Sequence, residues 1–131
     1  MRQLPLPTAL DDRFPTWLRA ALHDRYFWAM LIVALFVNLG LFAFLMLVSP
    51  QLPPLVPLHF DGAGTPDRIE SKTAIFSLPQ IGLIMIVLNF GLGAVSYRRE
   101  TLVSYLLAGV AIGVQLLLWI AAILIVRVVT V

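Results

Sequence analysis

Side chains able to do chemistry are scarce in this chain, and six of them gather in one stretch between two long apolar runs. Residues 49–73, SPQLPPLVPLHFDGAGTPDRIESKT, carry His59, Asp61, Asp67, Arg68, Glu70 and Lys72. The imidazole of His59 and the carboxylates of Asp61 and Asp67 are donor types that suit zinc or manganese. One histidine with scattered acids is nevertheless a thin ligand set. The simpler expectation is that no metal is bound: Asp67 satisfies backbone amides, His59 bonds across the connector, and Asp67 or Glu70 pairs with Arg68 or Lys72. No serine or threonine has a recognisable base beside it, so no enzyme activity is expected. The chain has no cysteine, which removes thiol nucleophiles, disulfides, zinc–thiolate sites and iron–sulfur clusters. No cofactor is expected.

The second set of polar residues lies in apolar surroundings. Asn38, Asn89 and Gln115 each sit alone in a long charge-free run. They fall about 18, 12 and 20 Å from one end of their runs at ~1.5 Å per residue, near the middle of a ~30 Å hydrocarbon layer. A polar ligand or quinone site is one reading. Interhelical hydrogen bonding is the simpler one, since amides are the usual polar glue of membrane bundles. The third run also carries Gly109-x-x-x-Gly113. On a helical wheel Gln115 shares a face with Ala108, Ala111 and Ala122, and the glycines lie about 120–160° away. That helix therefore has two small-residue faces, each allowing close approach of another helix.

The elements that must position these groups follow from composition. Of the 131 residues, 60% are apolar and 12% charged, where soluble domains carry about 25% charged residues. A net charge of +2, with no basic cluster longer than two residues, is too small to suggest a nucleic-acid partner, and none is expected. Residues 26–48, about 79–97 and about 102–126 read as three membrane-spanning helices. The first is too long and too late for a cleavable signal. No span contains an ionisable residue, which disfavours proton relays and ion pathways. Residues 1–13 read as an extended cytoplasmic tail. Residues 14–25 read as an amphipathic helix in the headgroup plane, with Phe14, Trp17, Leu18, Ala21 and Leu22 on one face. Ser77 is the expected cap of the second span, with Pro79 in its first turn. Residues 26–131 then form a single membrane domain.

Basic residues set the expected orientation. Arg2, Arg13, Arg19, Arg25, Arg98 and Arg99 fall on one side of a three-span chain, six against three on the other (Arg68, Lys72 and Arg127). The positive-inside rule places the N-terminus in the cytoplasm and the 49–73 connector and C-terminus outside.

Within the connector, Leu52-Pro53-Pro54-Leu55-Val56-Pro57 is expected to run extended. Val56 to Phe60 is a candidate edge strand, which would point His59 and Asp61 to one side. Asp61-Gly62 signals a turn, with Gly64 a further flexible point. Thr65-Pro66-Asp67 reads as a helix start, predicting a short helix from Pro66 to about Ser71. The pattern Pro53…Pro57-x-His59-Phe60-Asp61-x-x-Gly64-x-Pro66-Asp67…Lys72…Pro79 resembles the membrane domain family of unknown function sixteen-forty-eight. That domain is also found at the front of SdpI-type toxin-immunity proteins. The resemblance implies a bacterial or archaeal integral membrane protein with this segment between its first two helices, and no known enzyme activity. Ile69 stands where the family often has an aromatic residue. Three spans are fewer than immunity proteins have.

The expected architecture is an all-α membrane protein: three transmembrane helices, an N-terminal interfacial helix and an ordered extracytoplasmic connector. The expected function is a non-catalytic accessory or interaction subunit in a prokaryotic plasma membrane. Its partners are the bilayer and other membrane subunits or a second copy, met through the third helix at Gly109 and Gly113. The alternatives are a stand-alone immunity or sensing protein that binds a peptide or ligand through the connector, with Pro57, His59 and Asp67 shaping it, and a small oligomeric transporter.

Overall fold

The structure, a computed structural model, describes residues 14–130. The tail 1–13 and the side chain of Trp17 lie outside the described residues. The chain runs as helix α1 (Thr16–Leu22), helix α2 (Arg25–Val48), strand β1 (Leu55–Phe60), strand β2 (Pro66–Ser71), helix α3 (Ser77–Ser96) and helix α4 (Thr101–Thr130). Short 3₁₀ turns follow α2 and precede α3. Helices α2 and α4, and α3 together with the 3₁₀ turn leading into it, are long and apolar enough to cross a membrane by length and composition.

α1 and α2 are separate helices rather than one long one. The break falls at Asp24, whose Oδ1 accepts the N–H groups of Tyr26 (2.8 Å) and Phe27 (3.3 Å). A carboxylate at this position satisfies donors that a starting helix leaves orphaned. Across the break, the Trp28 indole donates to Leu22 O at 3.0 Å. Ala21 of α1 is buried with Phe27, Ile86 and Phe90.

The expectation of a wholly helical fold is corrected at the connector. β1 and β2 pair antiparallel, with Val56 opposite Glu70, Pro57 opposite Ile69 and His59 opposite Arg68. Residues 66–71 are therefore a strand, not the short helix expected after Thr65. Asp61 decides the matter. Its Oδ1 accepts from Ala63 N–H (2.9 Å) and Thr65 N–H (2.8 Å), and its Oδ2 from the Thr65 hydroxyl (2.6 Å). Those bonds close a turn and use up Thr65, so Thr65 caps nothing. Gly64 supplies the left-handed step with φ 80°, which costs glycine little. Pro66, the first residue of its strand, needs no N–H there.

The hairpin is anchored to the bundle. Val56 is wholly buried with Leu41, Leu45, Leu52, Ile75, Ala122 and Ile125. Lys72 N–H donates to Pro54 O at 2.9 Å, holding the two ends of the connector together. Ser77 does not cap α3: its hydroxyl donates back to Ala74 O at 2.7 Å. The 3₁₀ turn Lys72–Phe76 runs directly into α3, so the helix needs no side-chain cap there. Pro79 does lie in the first turn of α3.

Candidate functional site

Three polar clusters stand out, one at mid-bundle and one at each end. At mid-bundle, Gln115 is fully buried and Asn38 nearly so. The Asn38 amide nitrogen donates to Gln115 Oε1 (2.9 Å) and to Pro79 O (3.0 Å). Gln115 Nε2 donates to Gly82 O (3.0 Å) and Ala111 O (3.4 Å). One amide pair thus joins α2, α3 and α4. Close approach is possible because residue 82 is glycine: a Cβ there would fall 2.4 Å from Asn38 Nδ2 and 2.6 Å from Gln115 Oε1. Asn89 does not join the network; its amide donates to Met85 O of its own helix at 2.8 Å.

α4 divides as a wheel divides it. Ala108, Ala111, Gln115 and Ala122 are buried inside the bundle. Gly109 and Gly113 meet nothing: a Cβ on either would find open space.

At the hairpin end, the structure brings His59 and Asp67 together, Nδ1 to Oδ1 at 2.6 Å. It separates Asp61 from them by committing that carboxylate to the turn. The expectation that His59 and Asp61 share a strand face is thereby corrected, since the strand ends at Phe60 and bulges on either side of His59. Asp67 caps no helix; its partner is His59. Arg68 pairs with Glu70 at 2.5 Å. Pro57 lies in β1 opposite Ile69. Among the described residues, no three of His, Cys, Asp or Glu converge as a metal site. The bonds from Thr65 hold the Asp61 carboxyl below its usual 3.8. A groove of about 390 Å³ lies between the hairpin and the start of α3, lined in part by His59, Arg68, Glu70 and Gln80.

The cluster at the opposite end escaped the sequence reading. Asp24 Oδ2 accepts the phenol hydroxyls of both Tyr97 and Tyr105, while Oδ1 caps α2. The two phenols, led by Tyr105, hold the Asp24 carboxyl down at about 2. The same carboxylate pushes the Tyr97 phenol up. Phe27 packs edge-on against Phe90 and Tyr97, with centroids 5.2 and 5.8 Å away. Arg98 reaches Thr16 of α1 at 3.1 Å. Asp24 therefore ties the α1–α2 break to the α3–α4 turn. The available signal was an acid followed directly by an apolar run, with tyrosines on both sides of the later turn. The sequence spacing alone does not disclose that those tyrosines share an acceptor.

Fold and clusters together define a small bundle of three helices, each long and apolar enough to cross a membrane, closed at one end by a β-hairpin and at the other by a carboxylate shared between two phenols. Residues 27–83 match the family model described as Domain of unknown function (DUF1648). That match runs from the start of α2 through the hairpin into the first turns of α3, and it takes in the Pro53–Pro79 pattern. Comparison with curated proteins found no match, and comparison with solved structures found none.

Proposed function

We propose that this chain is a non-catalytic integral membrane protein that works as an accessory or interaction subunit, presenting one face of α4 to a partner helix. In this reading α2, α3 and α4 span a prokaryotic plasma membrane. α1 lies at the cytoplasmic surface, and the hairpin and C-terminus lie outside.

The observation that carries the reading is the division of α4. Its Ala108–Ala111–Gln115–Ala122 face is consumed inside the chain, while Gly109 and Gly113 border open space. Lipid gains nothing from a glycine pair one turn apart, whereas another helix can approach it closely. The partner is a helix of another subunit or of a second copy.

Gly109→Leu combined with Gly113→Leu tests this. The double variant is expected to keep the wild-type thermal midpoint, because neither position touches the bundle interior. It is expected to lose the partner, or the second copy, on purification in mild detergent. Co-purification at wild-type yield would remove this face as the interface.

The groove beneath the hairpin favours a second reading, a sensing or immunity protein that binds a peptide or small ligand there. Such a protein purifies without fixed partners, and its ligand binding is lost on Arg68→Ala rather than on the glycine substitutions.

A further inference from the structure

A groove of about 490 Å³ opens on the side of the bundle between α2 and α3, with Leu35, Leu39, Phe42 and Leu83 as its walls. That volume lies within the range of small-molecule sites, ~300–1,000 Å³. The wall residues are well exposed, Leu39 at 63%, so the groove faces whatever surrounds the helices. The polar groups that line it are Asn38 in its floor and Gln80 at its rim.

Asn38 is 9% exposed, and its amide cannot be turned over. Both partners of its nitrogen, Pro79 O and Gln115 Oε1, are acceptors without a proton to give, so nitrogen must face them. The oxygen is then left over. It accepts no hydrogen bond among the described residues. Every fully enclosed side-chain polar atom of those residues has a partner, so Asn38 Oδ1 is not enclosed, and Asn38 is a lining residue of the groove. Asn38 is ten residues before the end of α2, about 15 Å along the helix. Within hydrocarbon no water reaches that depth to satisfy an acceptor, and a cation is too costly to bring there. A group able to bond that oxygen at such depth is a neutral donor on an apolar body.

We propose that this groove binds a membrane-dissolved alcohol, a long-chain or ring compound whose hydroxyl donates to Asn38 Oδ1 while its apolar body fills the walls. The proposal rests on insertion of the three helices into a bilayer. It is independent of the α4 partner face, which lies on another side of α4 from the buried amide network.

The test uses the full chain in phosphatidylcholine nanodiscs, with a twelve-carbon alcohol bearing a diazirine as the probe. Photolabelling is expected on groove peptides of α2 and α3. Unlabelled 1-dodecanol is expected to compete about tenfold better than dodecyl methyl ether, the advantage that one net hydrogen bond gives. Leu39→Trp and Leu83→Trp fill the groove from opposite walls without touching the amide pair. Whichever of them keeps the wild-type thermal midpoint is expected to lose labelling. Equal competition by alcohol and ether, labelling outside the groove, or labelling that survives the tryptophan substitutions would each overturn the proposal. Extraction of the chain from vesicles by carbonate would overturn this proposal and the membrane reading together; equal competition strikes the groove alone.

Discussion

Gly82 and Asp24 carry more of the structure than their side chains announce. Gly82 matters through what it lacks. Adding a methyl group in Gly82→Ala drives it into Asn38 and Gln115. Such overpacking costs ~1–3 kcal/mol, against ~1 kcal/mol that alanine gains over glycine in a helix. Gly91→Ala, where a Cβ meets nothing, collects the gain alone. The expected outcome in detergent is a lower unfolding midpoint for Gly82→Ala than for Gly91→Ala; equal midpoints would show that the amide network gives way freely. Asp24 matters through its charge. Its folded value of about 2 lies below the usual 3.8, so its stabilisation is fully present above pH 3.8 and is lost as pH falls through 2. Asp24→Asn is expected to melt earlier than wild type at pH 7. The gap should close between pH 4 and pH 2. A gap that persists at pH 2 would mean that the charge is not what the two phenols recognise.

At the scale of elements, the hairpin depends on its turn more than on its cross-strand pair. Asp61 accepts three bonds inside five residues, whereas His59 and Asp67 meet at an exposed position, where an ion pair contributes ~0–1 kcal/mol. Asp61→Ala should therefore speed hydrogen exchange at the Asp61 and Gly64 amides, which close the turn through Thr65 O and Asp61 O. The expected loss of protection is about 1–2 kcal/mol, with Asp67→Ala changing it by less. Equal exchange in the two variants would return the hairpin's order to its strand pairing. Val56, Leu52 and Ile75 explain why so small a sheet holds its place. An isolated two-stranded hairpin is marginal in water, but this one shares its buried side chains with α2 and α4.

At the scale of the whole molecule, the two ends of the bundle are chemically distinct: one closed by the hairpin, the other by Asp24, Tyr97 and Tyr105. In the proposed orientation the hairpin end is outside. The chain lacks cysteine, so a single introduced thiol reports its own position. Gly62→Cys at the hairpin tip is expected to react with an impermeant thiol reagent on intact cells. Glu100→Cys in the α3–α4 turn is expected to react only after permeabilisation. The reverse pattern would invert the orientation derived from Arg98, Arg99 and the N-terminal arginines.

Three charge-free runs of about 20 residues can satisfy their backbones in an apolar medium only as helices, so α2, α3 and α4 were legible in the sequence. The placement of Gln115 with Ala108, Ala111 and Ala122 was legible too, because a 3.6-residue period puts them on one face. Strand β2 was not. Thr65-Pro66-Asp67 satisfies the local rules for a helix start, and the competing claim came from Asp61, four residues earlier, and from β1 across the turn. The pairing of Asn38 with Gln115, the close pass at Gly82, and the meeting of Asp24 with Tyr97 and Tyr105 join residues 33 to 81 positions apart. Periodicity says which way each side chain faces on its own helix. Only the packing of the helices decides which carbonyl, amide or carboxylate stands opposite, because depth and rotation are set by every contact along the bundle at once.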